Sequence, residues 1–295
     1  MLRSFYLHEP ATVEEANRLL VELGDEARIY AGGTELLLLM KEGLARFRHL
    51  INIKGAIGLV GIESTDSALS IGACTTHRDL EDSAIIRKQF SALAEMEGMV
   101  ANIRVRNVGT LGGNLCFAEP HSDPAILLLT HDALLDVTGL KGKRTLPLEQ
   151  FVLGPLDTAL ESDEILTRIR VPRLTDGMRA VYLKFAHYER PTVGVACALK
   201  LDNKGGIEEV RFAVGAVGDK PVRLRSVEES LRGKDGVEAQ TFLTTIPESV
   251  SETLGLTSDM YGSVAYKRHL VVVYLRRAFE KVYREIKGES DAAWA

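Results

Sequence analysis

"NIRVRNVGTLGGNLCFAEPHSD", residues 102–123, decides how this chain is read. It places three glycines within five residues, Gly109, Gly112 and Gly113, and follows them with Ala118-Glu119-Pro120-His121-Ser122-Asp123. Glycine lets a backbone approach another surface closely and adopt φ > 0 turns that aim several N–H groups at one point. A second stretch, "RIYAGGTELL" at 28–37, sets Gly32-Gly33-Thr34 directly after an apolar run. Each alone is compatible with an ordinary tight turn. Together, about 75 residues apart and each with a threonine, they are equally compatible with two loops closing on one phosphate-bearing ligand. GxGxxG opening a helix is absent, and so is GxxxxGK[ST], so the Rossmann and P-loop readings are not available.

Composition narrows the function classes. The chain has 295 residues, 45% hydrophobic and 26% charged, enough for one large or two medium globular domains. The net charge is −5 and no long basic run occurs, which argues against a nucleic-acid partner. "MLRSFYLHEPATVEEA" has no apolar core of signal-peptide length, so the expected location is the cytoplasm. The longest apolar runs, at 36–40 and 270–275, are far short of a transmembrane segment. Cys74, Cys116 and Cys197 have no second cysteine within four residues, so neither a disulfide framework nor a CxxC site is indicated, and no metal ligands are assigned. All three read best as small core residues, with Cys116 also beside the glycine loop.

The periodicity predicts an α+β chain without regular βαβ alternation. "ATVEEANRLLVEL" reads as a helix with Thr12 as cap, Glu15 completing a capping box, and Gly24 as the stop. "ARIYAGG", "HLINIKG" and "ALSIGAC" read as strands, and residues 76–101 as helical, with His77 at a surface helix start. Pro124 stands at the first position of a further helix, where Asp123 could serve only as its N-cap. "ALLDVTG", "KRTLP" and "EILTRIRVP" resume strands. A boundary falls at "VPRLTDGM", residues 171–178. Beyond it, consecutive strands with the turn "DNKGG" predict an antiparallel sheet. The helices "SVEESLRGK" and "VEAQTFLTTI" follow, and then a long one over about 263–287.

With these motifs in place, the sequence resembles the FAD-binding medium subunit of the molybdenum hydroxylases, the carbon monoxide dehydrogenase and xanthine dehydrogenase family. "AGGTELL" resembles that family's first FAD loop and "RNVGTLGGNLCFAEPHSDPA" its second. "EILTRIRVP" and "YLKFAHYERPTVGVACAL" are similar to the segments that carry a flavin-contacting Leu and Lys. "VGAVGDKPVRLRSVEESLRGK" and "YKRHLVVVYLRRAFEKV" resemble the C-terminal domain, so the likeness covers nearly the whole chain in order.

The resemblance implies a vanillyl-alcohol-oxidase-type FAD-binding domain over residues 1–172, in two α+β subdomains of about 1–55 and 56–172. It also implies a smaller domain over 178–288 with a three-stranded antiparallel sheet and helices. Ala31, Gly32, Gly33, Thr34 and Glu35, with Thr110, Leu111, Gly112, Gly113 and Asn114, would cradle the pyrophosphate, mainly through backbone N–H groups. Ala101 would join the cofactor-binding set. Asp123 would accept from ribityl or ribose hydroxyls. Leu166 would pack on the ring system or adenine, and Lys184 would place a positive charge near the pyrimidine end of the isoalloxazine. Glu119, His121 and the weakly basic "HYERPTVG" depart from the family pattern, which touches the electron acceptor and flavin tuning rather than FAD binding.

Three scattered cysteines cannot supply a [2Fe–2S] cluster, which takes about four ligands. The implied function is therefore electron transfer. A large partner subunit would hold molybdopterin and oxidise substrate, a small partner would hold two [2Fe–2S] clusters, and the assembly would be a dimer of heterotrimers. No catalytic acid or base is assigned. Two alternatives are a self-sufficient flavoenzyme of the same fold, and a structural subunit without flavin.

Overall fold

Residue chemistry sets the first elements: β1 (Tyr6–His8), α1 (Val13–Leu23), β2 (Ala27–Tyr30), α2 (Leu36–Glu42) and β3 (His49–Asn52). The structure, a computed structural model, describes residues 2–244 and 248–289. Thr12 is extended and its hydroxyl accepts from the Glu15 N–H at 3.1 Å. Glu15 returns its carboxylate to the N–H of Ala11 rather than of Thr12, at 2.9 Å, so the expected capping box is displaced by one residue. Gly24 ends the helix at φ +53°. The three strands form a parallel sheet in the order β1-β3-β2.

The next part contains β4 (Ile62–Ser64), β5 (Ala68–Gly72), α3 (His77–Asp82), α4 (Ala84–Gln89), α5 (Ser91–Met99), α6 (Ile103–Arg106), α7 (Leu111–Phe117) and α8 (Pro124–Thr130). It continues with β6 (Leu134–Gly139), β7 (Gly142–Pro147), α9 (Leu148–Phe151), β8 (Val152–Gly154), β9 (Asp157–Thr158) and β10 (Ile165–Pro172). β4-β5-β10-β6-β7 make an antiparallel sheet, with helices α3, α4, α5, α7 and α8 sharing its core. The run expected as one helical stretch over 76–101 is three helices. Ser83 both ends α3 and caps α4 through its hydroxyl, and Phe90 breaks out of helical geometry at φ −140°.

The remainder holds β11 (Arg179–Phe185), β12 (Val193–Leu201), β13 (Ile207–Gly215), β14 (Val222–Arg223), α10 (Arg225–Leu231), α11 (Gly236–Thr244), α12 (Glu248–Leu254) and α13 (Val264–Lys287). Three long antiparallel strands carry this sheet, and the two-residue β14 extends its edge. Thr245 and Ile246 of the expected helix "VEAQTFLTTI" lie outside the described residues.

One helix joins the two larger sheets. "PAILLLT" is apolar almost all round, and every residue of α8 is buried. Gly194 and Gly215, paired across β12 and β13, make room for it: a Cβ on either would meet Ile126 side-chain atoms at 2.6 Å. Among the described residues, no helix is long and apolar enough to cross a membrane.

Candidate functional site

The two glycine loops meet. β2 delivers Ala31–Glu35 and α6 delivers Val108–Asn114 to the same place. A Cβ on Gly32 would stand 2.2 Å from the Val108 carbonyl oxygen and 2.7 Å from Gly109 Cα. Only glycine permits that approach, because every obstructing atom is backbone. Gly33 turns the chain at φ +69°, over the Tyr30 ring. Among the described residues, the N–H groups of Gly32, Gly33, Thr34, Glu35 and Leu36 have no acceptor within the protein. Five successive donors on a tight turn at a helix start are suited to a polyanion.

The second loop is built differently from the first. Its N–H groups are already engaged: Leu111 donates to the Thr75 carbonyl at 3.1 Å and Gly112 to that of Ala73 at 2.9 Å. Gly113 donates to Thr110 Oγ1 at 3.1 Å, and Asn114 to the Thr110 carbonyl at 2.9 Å. In this structure, then, the backbone donors of Leu111, Gly112, Gly113 and Asn114 all have acceptors within the protein. Gly112 is required instead by packing, since a Cβ there would stand 2.6 Å from Ala73 Cβ and from its carbonyl oxygen. The contact with the first loop is made by Val108 and Gly109. Thr110 is buried and caps α7, and Asn114 Oδ1 accepts from Ser122 Oγ at 2.6 Å. Ala101, just ahead of the loop, turns the chain at φ +43°.

A third wall comes from beyond residue 178. Asp123 is 4% exposed and does not cap α8 with its side chain. Its carboxylate accepts from Tyr182 Oη at 2.6 Å and from Lys184 Nζ at 3.1 Å. Burial pushes the Asp123 carboxyl above the usual range, against the pull of Lys184 and the Tyr182 hydroxyl. Lys184 is not a free surface lysine: its Nζ also donates to the carbonyls of Met99 and Glu189. Arg190 reaches Glu35 of the first loop at 2.8 Å and Glu119 of the second at 2.9 Å. Leu166 is 3% exposed in the core on β10, beside a register shift and one residue before Thr167, whose carbonyl accepts from the Ala73 N–H at 3.0 Å.

The residues that depart from the family pattern belong to this seam. His121 Nδ1 lies 2.8 Å from the Pro191 carbonyl and Nε2 lies 2.9 Å from Asp259, which also pairs with the fully buried Lys267. The Tyr261 ring packs on His121, with centroids 4.2 Å apart. Sequence reasoning did not assign Arg190 or Tyr182. Tyr182 had a readable signal, because residues two apart on a strand share a face and Lys184 was already assigned. His77, expected at the surface, is buried at 2% exposure and bonded to Glu97. Burial raises the thiols of Cys74 and Cys116 to about 12, which fits packing rather than reactivity.

Comparison with known proteins bears on this geometry. A family described as the FAD binding domain in molybdopterin dehydrogenase matches residues 3–174. A second, the CO dehydrogenase flavoprotein C-terminal domain, matches residues 182–282. The carbon monoxide dehydrogenase medium chain of Hydrogenophaga pseudoflava is 31% identical over 99% of this chain and 97% of its own length. The xanthine dehydrogenase FAD-binding subunit of Escherichia coli O157:H7 is 30% identical over 96% of this chain and 97% of its own. A solved structure of the Hydrogenophaga pseudoflava carbon monoxide dehydrogenase, lacking the Mo-pyranopterin moiety of its cofactor, contains a chain that superposes with a TM-score of 0.90. That match has 31% identity and covers 96% of this chain and 98% of that one.

Proposed function

This chain belongs to the FAD-binding medium subunits of the carbon monoxide and xanthine dehydrogenase-type molybdenum hydroxylases, and we propose that it serves there as the electron-transfer subunit. Electrons would arrive from two [2Fe–2S] clusters of a small partner subunit, and substrate would be oxidised on a large molybdopterin subunit. They would leave to an external acceptor, in a cytoplasmic dimer of heterotrimers. When bound, FAD supplies the redox chemistry itself. The observation that carries the reading is the run of unpartnered N–H donors from Gly32 to Leu36, which suits the pyrophosphate of FAD.

In this reading residues 1–172 are the FAD-binding domain, with subdomains of about 1–55 and 56–172, and residues 178–288 are the C-terminal domain. The first loop receives the pyrophosphate, with Ala31 and the Thr34 hydroxyl beside it. Thr110, Leu111, Gly112, Gly113 and Asn114 complete the pyrophosphate cradle from the second loop, and Ala101 borders it. Asp123 accepts from a cofactor hydroxyl while Tyr182 and Lys184 keep its carboxylate oriented. Lys184 lends positive charge to the flavin end, and Leu166 provides apolar support.

The test is anaerobic mixing with candidate hydroxylase substrates while flavin absorbance is followed. Bleaching only in a copurified complex with the two partner chains supports the proposal. Bleaching of the isolated chain by a small substrate overturns it in favour of a self-sufficient flavoenzyme.

A further inference from the structure

A turn far along the chain reaches the wall of the candidate site. Residues 258–262 lead into α13 and are fastened to its start. Asp259 and Gly262 exchange backbone hydrogen bonds at 3.1 and 3.3 Å. Asp259 Oδ1 accepts from the Tyr261 N–H at 2.8 Å, and Ser258 Oγ accepts from the Val264 N–H at 3.1 Å. Asp259 Oδ2 accepts from Lys267 Nζ at 2.5 Å, and Lys267, in the first turn of α13, is fully buried. A buried ammonium keeps its carboxylate because an unpaired charge there is costly, so this turn is a fixed strut.

From the strut, contacts run to the first glycine loop. The same Asp259 oxygen stands 2.9 Å from His121 Nε2, and the Tyr261 ring packs on the His121 ring. His121 Nδ1 lies 2.8 Å from the carbonyl of Pro191, the residue after Arg190. Arg190 holds Glu35 at 2.8 Å and Glu119 at 2.9 Å. Glu35 belongs to the first loop itself, and its own N–H is one of the five donors without an acceptor among the described residues. Burial opposes the Arg190 charge, while Glu35, Glu119 and Tyr261 around it hold the guanidinium above its ordinary range.

On the near side of Arg190, segment 186–192 is tied at Glu189, which accepts from Asn102 Nδ2 at 2.7 Å and, through its carbonyl, from Lys184 Nζ at 3.1 Å. On the far side the held group is the Pro191 carbonyl, and His121 holds it. A partly exposed ion pair is worth little by itself, because ordering a long side chain offsets the attraction. Anchoring the backbone beside Arg190 lowers that ordering cost in advance.

We infer that His121, Asp259 and Tyr261 are positioning residues for cofactor retention: they hold Pro191, and through it Arg190 against Glu35, so that the C-terminal part of the chain sets how long FAD stays bound. The inference rests on the assignment of the first loop as a FAD cradle.

The experiment loads the full chain with FAD and follows release by stopped-flow fluorescence, with urea unfolding of the same preparations. Tyr261→Ala removes the ring from His121 and should speed release roughly 3–10-fold, as Arg190→Ala does. Tyr261→Phe keeps the ring and should match the parent. Arg190→Ala combined with Tyr261→Ala should release FAD no more than about twofold faster than Arg190→Ala alone, since the tyrosine acts through the arginine. A merely structural residue would lower the urea midpoint and multiply the two effects. His121→Phe keeps an aromatic ring, loses both polar contacts and should also speed release; it decides if Tyr261→Ala does not fold. Release at the parent's rate in folded Tyr261→Ala or in His121→Phe overturns the inference and leaves the cradle standing. So do effects that multiply in the double variant, or a Tyr261→Phe as fast as Tyr261→Ala. A parent chain that does not bind FAD overturns both.

Discussion

Gly32→Ala is the sharpest test of the joined loops. The added methyl would stand 2.2 Å from the Val108 oxygen, 2.7 Å from Gly109 Cα and 2.9 Å from Val108 C. None of these atoms can rotate away. Moving from 2.2 Å to an ordinary contact at 3.4 Å parts the loops by 3.4 − 2.2, about 1.2 Å. Overpacking of this kind costs about 1–3 kcal/mol of stability. The larger effect falls on the ligand, because a shift above 1 Å takes N–H donors of the first loop out of hydrogen-bond range. A bond to a charged acceptor is worth about 1.5–3 kcal/mol, so losing two costs about 3–6 kcal/mol. At about 1.4 kcal/mol per decade the dissociation constant for FAD rises about 10²–10⁴-fold.

The assay pairs FAD titration by fluorescence with urea unfolding of the same preparations. Gly55→Ala is the control, since a Cβ there meets nothing within 4 Å and its φ is not in the left-handed region. Its affinity should match the parent's. If Gly32→Ala stays folded and binds FAD within threefold of the parent, the two loops do not form one cradle.

Other perturbations have distinct signatures. Tyr182→Phe removes the 2.6 Å donor from buried Asp123 and should cost roughly 1–3 kcal/mol in chemical unfolding. Arg190→Ala breaks two half-exposed pairs, so stability should change by less than about 1 kcal/mol. Glu35 is then left uncompensated beside the cradle, and FAD should dissociate roughly 3–10-fold faster by stopped-flow fluorescence. His131 is buried against Pro172 and Phe90, and burial lowers its imidazole to about 4. The unfolded chain therefore binds that proton first as pH falls. The stability is fully present above about pH 6.5 and is lost on descent towards pH 4, with a loss of about 2 kcal/mol by pH 5. His131→Asn should remove that part of the slope in urea midpoints measured from pH 7 to 5.

Much of the site was legible in the sequence, and the unread parts have physical reasons. Gly32 and Gly33 announced a close approach because no other residue allows one. At Gly112 the missing Cβ clears Ala73, a packing demand that the sequence does not display. No local pattern says that the 73–75 segment takes the Leu111 and Gly112 N–H groups, because that pairing lies more than 30 residues away. Arg190 and Glu35 are 155 residues apart, and only the packing of β11 and β12 against α8 brings them together. His77 looked like a surface cap because Thr76 does cap α3, but the first turn faces Glu97 on α5. The helical period over 76–101 is realised as three helices because Ser83 and Phe90 interrupt it, residue types that also occur inside helices.

The notch that Gly194 and Gly215 cut for Ile126 has a mechanical consequence. A side chain seated over paired glycines behaves as a tenon: α8 cannot slide along β12 and β13 without withdrawing it. The lighter contacts lie elsewhere. The part left to move is the short connector from Ala186 to Thr192, whose Glu189, Arg190 and Pro191 grip the loops through a few polar contacts. Exchange should then be paced by breaking those contacts, making the connector a clasp on a rigid case.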